Sequence, residues 1–229
     1  MNSKHPVRII GAGMSGLVAG INLHKRGVPF VIHEYSSQAG GRLRTESLDG
    51  WPMDRGFQVL LTAYPQTQKY LDYKALDLKY FKSGAQVFKD GQSFQIGNPL
   101  QDWELAWPTL RYPWARLADK WKLARLTREL GALDLPHLFA RKEVTTLQYL
   151  KNKGFSEPMI NSFFRPFFGC IFLEKELNTS SRMFEFVLKM FSTGRAAVPT
   201  HGIQNLATQL ARQIPDERFQ WNHEVVETH

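Results

Sequence analysis

The stretch Val7-Arg8-Ile9-Ile10-Gly11-Ala12-Gly13-Met14-Ser15-Gly16 decides the fold of this chain. A β-branched run leads into a glycine-rich loop, and the loop opens a helical segment that ends at Gly27. In such a loop Gly11 permits the tight turn, Gly13 lets the backbone approach a pyrophosphate, and Gly16 lets the helix pack closely on the strand. The pattern predicts a nucleotide-binding βαβ unit, in which the N–H groups at the start of the helix face phosphates.

The second strand of this unit is predicted over residues 29–34 and ends in an acid. Glu34 lies where dinucleotide-binding folds place a carboxylate for ribose hydroxyls. NAD and FAD both use such a unit, so the choice between them depends on Ala39-Gly40-Gly41-Arg42-Leu43-Arg44-Thr45. Two glycines and an arginine provide a flexible turn and a guanidinium that can grip phosphate oxygens in a fork. This second phosphate clamp favours FAD over NAD, with a surface turn carrying solvated arginines as the alternative.

The composition limits the classes of protein to be considered. The chain has 229 residues, is 43% hydrophobic, and carries 29 Lys and Arg against 21 Asp and Glu, a net charge of +8. That charge favours an anionic cofactor or an anionic membrane surface, and no nucleic-acid-binding signature accompanies it. The single cysteine excludes an internal disulfide framework, and the histidines lack metal-ligand spacing. We therefore expect a cytoplasmic protein, peripheral to a membrane at most, with no metal and no nucleic-acid partner.

The order of the predicted elements indicates an α/β fold, α+β overall, in which a Rossmann-like βαβ domain is interrupted by a mainly helical insertion. We assign residues 1–63 to the first part of the FAD-binding domain, 64–197 to a substrate domain and 198–229 to the return. The insertion begins with a β-hairpin near residues 84–97 and continues with apolar residues at helical spacing. The return contains an amphipathic helix and then a strand over residues 218–228.

These motifs resemble, in order and spacing, those of the flavin amine oxidase and phytoene desaturase superfamily, which also contains protoporphyrinogen oxidases and carotenoid isomerases. The resemblance covers most of the chain. It rests on the glycine loop, Glu34, the Gly40-Gly41-Arg42 turn and the segment Asp54-Arg55-Gly56-Phe57-Gln58.

The resemblance implies a role for each of these segments. The backbone at Met14 and Ser15 would meet the pyrophosphate, Glu34 the adenosine ribose, and Arg42 the phosphates. The segment around Gly56 would lie near the isoalloxazine ring, and Val225 would lie against the adenine. The complete set of cofactor-binding residues expected in this way is Gly11, Gly13, Met14, Ser15, Gly16, Glu34, Gly40, Gly41, Arg42, Gly56, Phe57, Gln58 and Val225.

The resemblance also implies an activity. We expect an FAD-dependent oxidoreductase that acts on a bulky lipophilic substrate, polyene-like or porphyrinogen-like, by hydride transfer to flavin. Amine oxidation is an alternative. Members of the superfamily usually continue well past the position of residue 229, so we also expect either a fragment or a natural half-length form. In the second case the FAD site would be open or completed by a second chain, and a split subunit that binds nucleotide without independent activity is a further alternative.

Aromatic residues concentrate in the predicted insertion, and we consider two interpretations of them. As a set they could form an apolar tunnel for a large substrate, while singly they are typical of an ordinary core. The set is Trp103, Trp107, Trp114, Phe163, Phe164, Phe167, Phe168, Phe172, Phe184, Phe186 and Phe191. We identify no catalytic acid, base or nucleophile, and Cys170 is predicted to be buried in packing.

Basic and aromatic side chains alternate over residues 111–123. Such a mixture is typical of segments that lie on a membrane surface. A solvated helix with buried tryptophans is the alternative. The membrane interpretation predicts salt-sensitive binding to anionic vesicles.

Overall fold

The computed structural model describes residues 5–56, 59–89 and 91–227, which form two compact units. Unit 1 contains Met1–Tyr80 and Ala197–His229, and unit 2 contains Phe81–Ala196. The sequence prediction places the first change of domain at residue 63, whereas residues 64–80 lie in unit 1 here. The functional labels of the two units stay predictions.

The strands, in chain order, are β1 (Val7–Ile10), β2 (Phe30–His33), β3 (Thr45–Leu48), β4 (Trp51–Asp54), β5 (Leu60–Leu61), β6 (Leu78–Tyr80), β7 (Gly84–Lys89), β8 (Gln92–Gly97), β9 (Ala196–Pro199) and β10 (Phe219–Gln220). The helices are α1 (Met14–Lys25), α2 (Pro65–Tyr70), α3 (Ala106–Arg111), α4 (Leu117–Ala132), α5 (Leu135–Ala140), α6 (Thr146–Asn152), α7 (Glu157–Met159), α8 (Arg165–Phe172), α9 (Ser181–Thr193) and α10 (Gln204–Ala211).

Unit 1 opens with the predicted βαβ arrangement. Strand β1 pairs in parallel with β2, with Val7 opposite Phe30, and α1 connects them. Strand β10 pairs in parallel with the other side of β2, so the order is β1-β2-β10. The central strand buries Phe30 and Ile32 among Leu17 and Ile21 of α1, as a parallel sheet covered by a helix requires. The predicted α/β fold is confirmed.

The last strand is shorter than the sequence predicts. It ends at Gln220, whereas the prediction extends over residues 218–228. Asn222 adopts a left-handed backbone with φ of 54°, which a continuous strand cannot contain. The amide of Asn222 donates to the carbonyl of Ser36 at 3.1 Å, and that of His223 donates to the carbonyl of Glu34 at 2.9 Å. The chain therefore runs beside the loop that follows β2 instead of extending the sheet.

Helix α2 belongs to unit 1 because its polar groups bond to α1 and α10. The Asn22 amide donates to the Tyr70 hydroxyl at 2.9 Å, and the Gln213 amide donates to the Tyr70 carbonyl at 2.9 Å. The Asp72 backbone N–H, just after the helix, donates to Gln209 at 2.8 Å. Such partners are distant in sequence, so a domain boundary argued from local composition does not detect them.

Unit 2 consists of one hairpin and a helical core. Strands β7 and β8 pair antiparallel from Gly84 opposite Gly97 to Lys89 opposite Gln92, where the sequence places a hairpin. The helices bury Phe164, Phe168 and Phe184, and the rings of Phe168 and Phe184 lie 4.6 Å apart. No helix among the described residues is long and apolar enough to cross a bilayer.

The aromatic set of the sequence analysis divides into core and surface. Phe164, Phe168 and Phe184 are fully buried, whereas Trp103 and Trp107 are 80% and 59% exposed. One tunnel built from the whole set is therefore wrong for unit 2, and the core interpretation holds for the three phenylalanines. The three phenylalanines are buried because their helices pack around them in the core of unit 2. Trp103 lies in a short helical turn at the surface.

The expected burial of Cys170 is also wrong, because its side chain is exposed. Phe168, two residues earlier in α8, is fully buried. Residues two apart on a helix lie about 200° apart around its axis, so the two side chains point to opposite faces. The residues around Cys170 in the sequence are apolar on both sides, so the sequence alone does not indicate that Cys170 lies on the exposed face of α8.

A buried carboxylate ties three helical segments of unit 2 together. Glu185 of α9 is 1% exposed, and its Oε1 accepts hydrogen bonds from Arg141 and from the Tyr149 hydroxyl, both at 2.6 Å. Burial and the acceptor Glu185 together raise the pKa of Tyr149, so its hydroxyl stays a donor. Arg141 also pairs with Glu129 of α4 at 2.7 Å.

Replacing Glu185 with Ala should lower the free energy of unfolding by about 2 kcal/mol, because the Tyr149 hydroxyl loses its acceptor inside the core. Urea unfolding measures the loss. The matched control is Glu143→Ala, since Glu143 is half-exposed and pairs with Arg182 at 3.5 Å; there we expect at most about 0.5 kcal/mol. Equal losses in the two variants would contradict a structural role for the buried carboxylate.

Candidate functional site

The glycine loop of unit 1 leads directly into α1. The Gly11 N–H donates to the carbonyl of His33 at 2.7 Å, and Gly11 has a φ of +89°, which only glycine adopts without strain. The Leu17 N–H donates to the Gly13 carbonyl at 2.9 Å and closes the first turn of the helix. A side chain at Gly16 would overlap the carbonyl oxygen of Gly11. The start of α1 therefore lies in close contact with the Gly11 carbonyl and with Ile9 of β1.

Open space lies in front of this helix start. Gly13 immediately precedes the first helical residue, Met14. A Cβ built on Gly13 would meet no other atom within 4 Å. The first N–H groups of a helix have no partner inside the helix, and they carry a partial positive charge. This is the arrangement that a pyrophosphate needs.

Glu34 is held at the end of β2 by three donors. It is 7% exposed; its Oε2 accepts from the Ala12 N–H at 2.6 Å, and its Oε1 accepts from Ser36 N–H at 2.9 Å and Ser36 Oγ at 2.6 Å. Burial by itself raises the pKa of Glu34, but the bonds from Ser36 and Ala12 and the charge of Arg44 outweigh it and lower the pKa. The carboxylate is therefore ionised at neutral pH, and carboxylate oxygens have room for a further donor such as a ribose hydroxyl.

The Gly40-Gly41 pair packs against the glycine loop of residues 11–16. The Gly40 N–H donates to the Ala12 carbonyl at 3.0 Å. Gly41 has a φ of +57°, and a Cβ at this position would lie 3.3 Å from the Cα of Gly13. The exposed Arg42 follows this turn directly. The structure thus brings together the glycine loop, Glu34 and the Gly40–Arg42 turn, which the sequence motifs assign to one dinucleotide-binding unit.

A network that the sequence analysis missed holds the segment before α10 against this site. Asp54 Oδ1 accepts from Thr45 Oγ1 at 2.5 Å and from the Ile203 N–H at 3.0 Å. The Gln204 N–H donates to Thr45 Oγ1, and the Gln204 side chain accepts from the Thr45 N–H, both at 3.1 Å. A side chain at Gly202 would overlap Thr45. The only signal in the sequence is polar residues beside glycines, and it does not identify partners some 150 residues apart.

The remaining predicted residues are placed as follows. Gly56 lies in an exposed bend after β4, and Val225 is half-buried in the mostly exposed segment after β10. Phe57 and Gln58 fall outside the described residues. The contacts of these four residues with the ring and the adenine stay predictions.

A cavity of about 570 Å³ runs along one face of α1 in unit 1. Met14 and Ser15 line it beside the glycine loop, and Asn22 and Tyr70 line it further along the helix. Within the described ranges, no cluster of three or more His, Cys, Asp or Glu side chains is arranged to hold a metal ion. The open start of α1 and the Glu34 carboxylate suit a dinucleotide, with phosphates at the helix N-terminus and a ribose at the carboxylate.

Two glycine substitutions should separate folding from cofactor binding. Gly16→Ala should lower the melting temperature, because the new methyl group overlaps the Gly11 carbonyl. Gly13→Ala should change stability by less than about 1 kcal/mol, because its methyl group enters open space. We expect it to weaken FAD binding at least tenfold, on the order of 1.4 kcal/mol, by filling the space for the pyrophosphate. Differential scanning fluorimetry and FAD titration measure the two effects, and an unchanged FAD affinity in Gly13→Ala would contradict this placement.

The stabilisation by Glu34 should depend on pH with a definite sign. Its pKa is lower in the folded chain, so the stabilisation is fully present above the unfolded pKa of about 4.3 and disappears as the pH falls through the folded value. At neutral pH Glu34→Gln should cost on the order of 2 kcal/mol, the scale of a hydrogen bond to a charged group. Urea unfolding of the unmodified chain and of Glu34→Gln at a series of acidic pH values measures the difference in their free energies of unfolding. This difference should shrink towards zero as the pH falls. A difference that stays constant or grows in acid would be inconsistent with an ionised, bonded carboxylate.

Comparisons with known proteins identify chains that are similar to this one. A 1-hydroxycarotenoid 3,4-desaturase from a Flavobacterium species is 23% identical over 216 residues, which cover 92% of this chain and 36% of that protein. A hydroxysqualene dehydroxylase from Sinorhizobium fredii is 38% identical over 66 residues, which cover 28% of this chain and 16% of that protein. A solved oxidoreductase from Methanosarcina mazei matches 95% of this chain and 50% of its own, with a TM-score of 0.66 and 19% identity.

The chain thus spans half or less of the length of these proteins. The family model described as flavin containing amine oxidoreductase matches residues 14–229, nearly the whole chain. The cofactor that this family implies is FAD, in agreement with the fit of a dinucleotide to the glycine loop and Glu34. The chain belongs to the flavin-containing amine oxidoreductase family.

Proposed function

We propose that this chain provides the FAD-binding unit and a substrate-side unit of an oxidoreductase that acts on a bulky lipophilic substrate. The observation that carries the substrate class is the similarity to the 1-hydroxycarotenoid 3,4-desaturase, which extends over 92% of the chain. A match of that extent includes most of unit 2, because unit 2 is about half of the chain. The substrate of that relative is a hydroxylated carotenoid by its name, and we extend only the lipophilic class to this chain.

In this proposal unit 1 binds and orients the cofactor. The backbone at Met14 and Ser15 would bind the pyrophosphate at the start of α1, and Arg42 would bind phosphate oxygens. The ionised Glu34 would accept hydrogen bonds from ribose hydroxyls. When bound, FAD supplies the hydride acceptor, and the protein supplies position and electrostatics. Gly13 and Gly41 keep side chains out of the space that the cofactor would take.

Unit 2 supports a lipophilic substrate through partly exposed phenylalanines. Phe163 and Phe167 stack with their centroids 5.7 Å apart, and Phe191 meets Phe167 edge-on at 5.3 Å. All three rings are half-buried beside the fully buried core. Such rings offer an apolar surface at low entropic cost, because their neighbours already hold them in place.

Amine oxidation is a second candidate, and the description of the matching family favours it. It differs from the first in the polarity of the substrate. An amine substrate is a cation at neutral pH and needs polar or negative partners, whereas a polyene needs none. The two candidates therefore differ in a measurable way.

Flavin uptake followed by anaerobic reduction tests the proposal. We expect the purified chain to retain added FAD through gel filtration, and a hydroxylated carotenoid in detergent to bleach the flavin absorbance. Bleaching by a porphyrinogen would equally support a lipophilic substrate. Bleaching by a primary amine alone would overturn the proposal in favour of amine oxidation. Gly13→Ala is the control with weakened flavin binding. If the chain retains no FAD, the proposal fails, and the alternative of one part in a split flavoprotein is supported.

A further inference from the structure

Three tryptophans of unit 2 are exposed on neighbouring helical segments. Trp103 is 80% exposed, Trp107 is 59% exposed and Trp121 is 65% exposed. The alternative of a solvated helix with buried tryptophans, made for residues 111–123, is therefore wrong for Trp121. Trp114, the fourth tryptophan of unit 2, packs edge-on against Phe94, with the ring centroids 5.0 Å apart. Exposure of a tryptophan side chain to water is energetically unfavourable. Three exposed tryptophans on adjacent segments therefore indicate a surface that binds a partner.

Helical spacing places the exposed apolar residues on common faces. Trp103, Trp107 and Leu110 follow one another at intervals of four and three residues, and Leu117 and Trp121 are four apart on α4. Lys120 Nζ donates to the carbonyl of Leu110 at 2.6 Å and to that of Tyr112 at 3.0 Å. This lysine satisfies carbonyl groups at the end of α3 and holds that end beside the first turn of α4.

The same surface is strongly basic. Between residues 103 and 128 the chain has six basic residues and two acidic residues, Glu104 and Asp119. Glu104 pairs with Lys82 at 2.9 Å. Asp119 is 1% exposed, and its oxygens accept from the N–H groups of Arg116 and Ser156, so this carboxylate does not face the solvent. The guanidinium of Arg111 lies 4.5 Å from the ring centre of Trp107, and that of Arg125 lies 5.8 Å from that of Trp121. Cation and aromatic ring thus face the solvent together.

We propose that this Trp-Arg face, defined by Trp103, Trp107, Leu110, Arg111, Leu117, Trp121 and Arg125, docks on the surface of an anionic lipid bilayer. Tryptophan rings partition into the headgroup region, where an apolar body and a polar N–H are both satisfied. Arginines beside them are attracted to anionic headgroups. A second copy of the chain fits less well, because two such faces would bring like charges together.

Vesicle flotation of the 229-residue chain tests this proposal. We expect the chain to float with vesicles of phosphatidylcholine and phosphatidylglycerol at low salt, and to float weakly with phosphatidylcholine alone. Added salt should release it. Since each Lys or Arg near an anionic surface contributes roughly a fivefold change in binding, Arg125→Glu/Arg128→Glu should bind at least about tenfold more weakly. Trp107→Ala/Trp121→Ala should weaken binding at every salt concentration.

Matched controls alter the same residue types in unit 1. Trp51 is 74% exposed in β4, and Arg212 is exposed after α10. Trp51→Ala and Arg212→Glu should leave flotation unchanged, and melting temperatures check that every variant is folded. Equal flotation with neutral and anionic vesicles would overturn the proposal. So would a dimer, seen by analytical ultracentrifugation, that the face variants dissociate while vesicle binding persists.

Discussion

The organisation of unit 1 depends on one buried carboxylate and the residue to which it bonds. Glu34 accepts the N–H of Ala12, and Ala12 in turn accepts the N–H of Gly40. The backbone of Glu34 pairs with Gln220 on one side and His223 on the other. Four segments of the chain, from Ala12 to His223, thus meet at two residues. An ion buried in a protein must be paired or hydrogen-bonded, so this charge is compatible with folding only when the segments are assembled around it.

A second constraint closes the unit across the insertion. The chain leaves unit 1 after Tyr80 and returns at Ala197. The bonds from Ile203 to Asp54 and between Gln204 and Thr45 join the two pieces. The entropy of closing a loop grows slowly with its length, so a long insertion adds little to the cost once these bonds form. Unit 2 has its own core, including the Glu185 network, and this fits an insertion that supplies its own stability.

The sequence predicts the features that depend on local chemistry. The glycine loop, the acid after β2 and the hairpin at β7 and β8 are recognisable because turn geometry and strand alternation repeat in any context. What it does not predict depends on partners. The pairing of Asp54 with Ile203, the left-handed Asn222 that ends β10 and the outward face of Cys170 are decided by tertiary packing. The aromatic set illustrates this limit, because Phe168 and Trp103 look equally apolar in sequence and occupy a core and a surface.

In the proposed function, the two units divide recognition between backbone and side chains. The dinucleotide site of unit 1 consists mainly of backbone N–H groups, glycines without side chains and one carboxylate, and such a site binds the same cofactor whatever substrate is oxidised. In the proposed function, substrate selection therefore depends on other residues. Unit 2 has the composition for it, with half-buried phenylalanines beside its core and exposed tryptophans among arginines. A lipophilic substrate partitions into membranes, so a surface that attracts the protein to a bilayer would raise the local concentration of both. The apolar and the basic features of unit 2 then serve the same end.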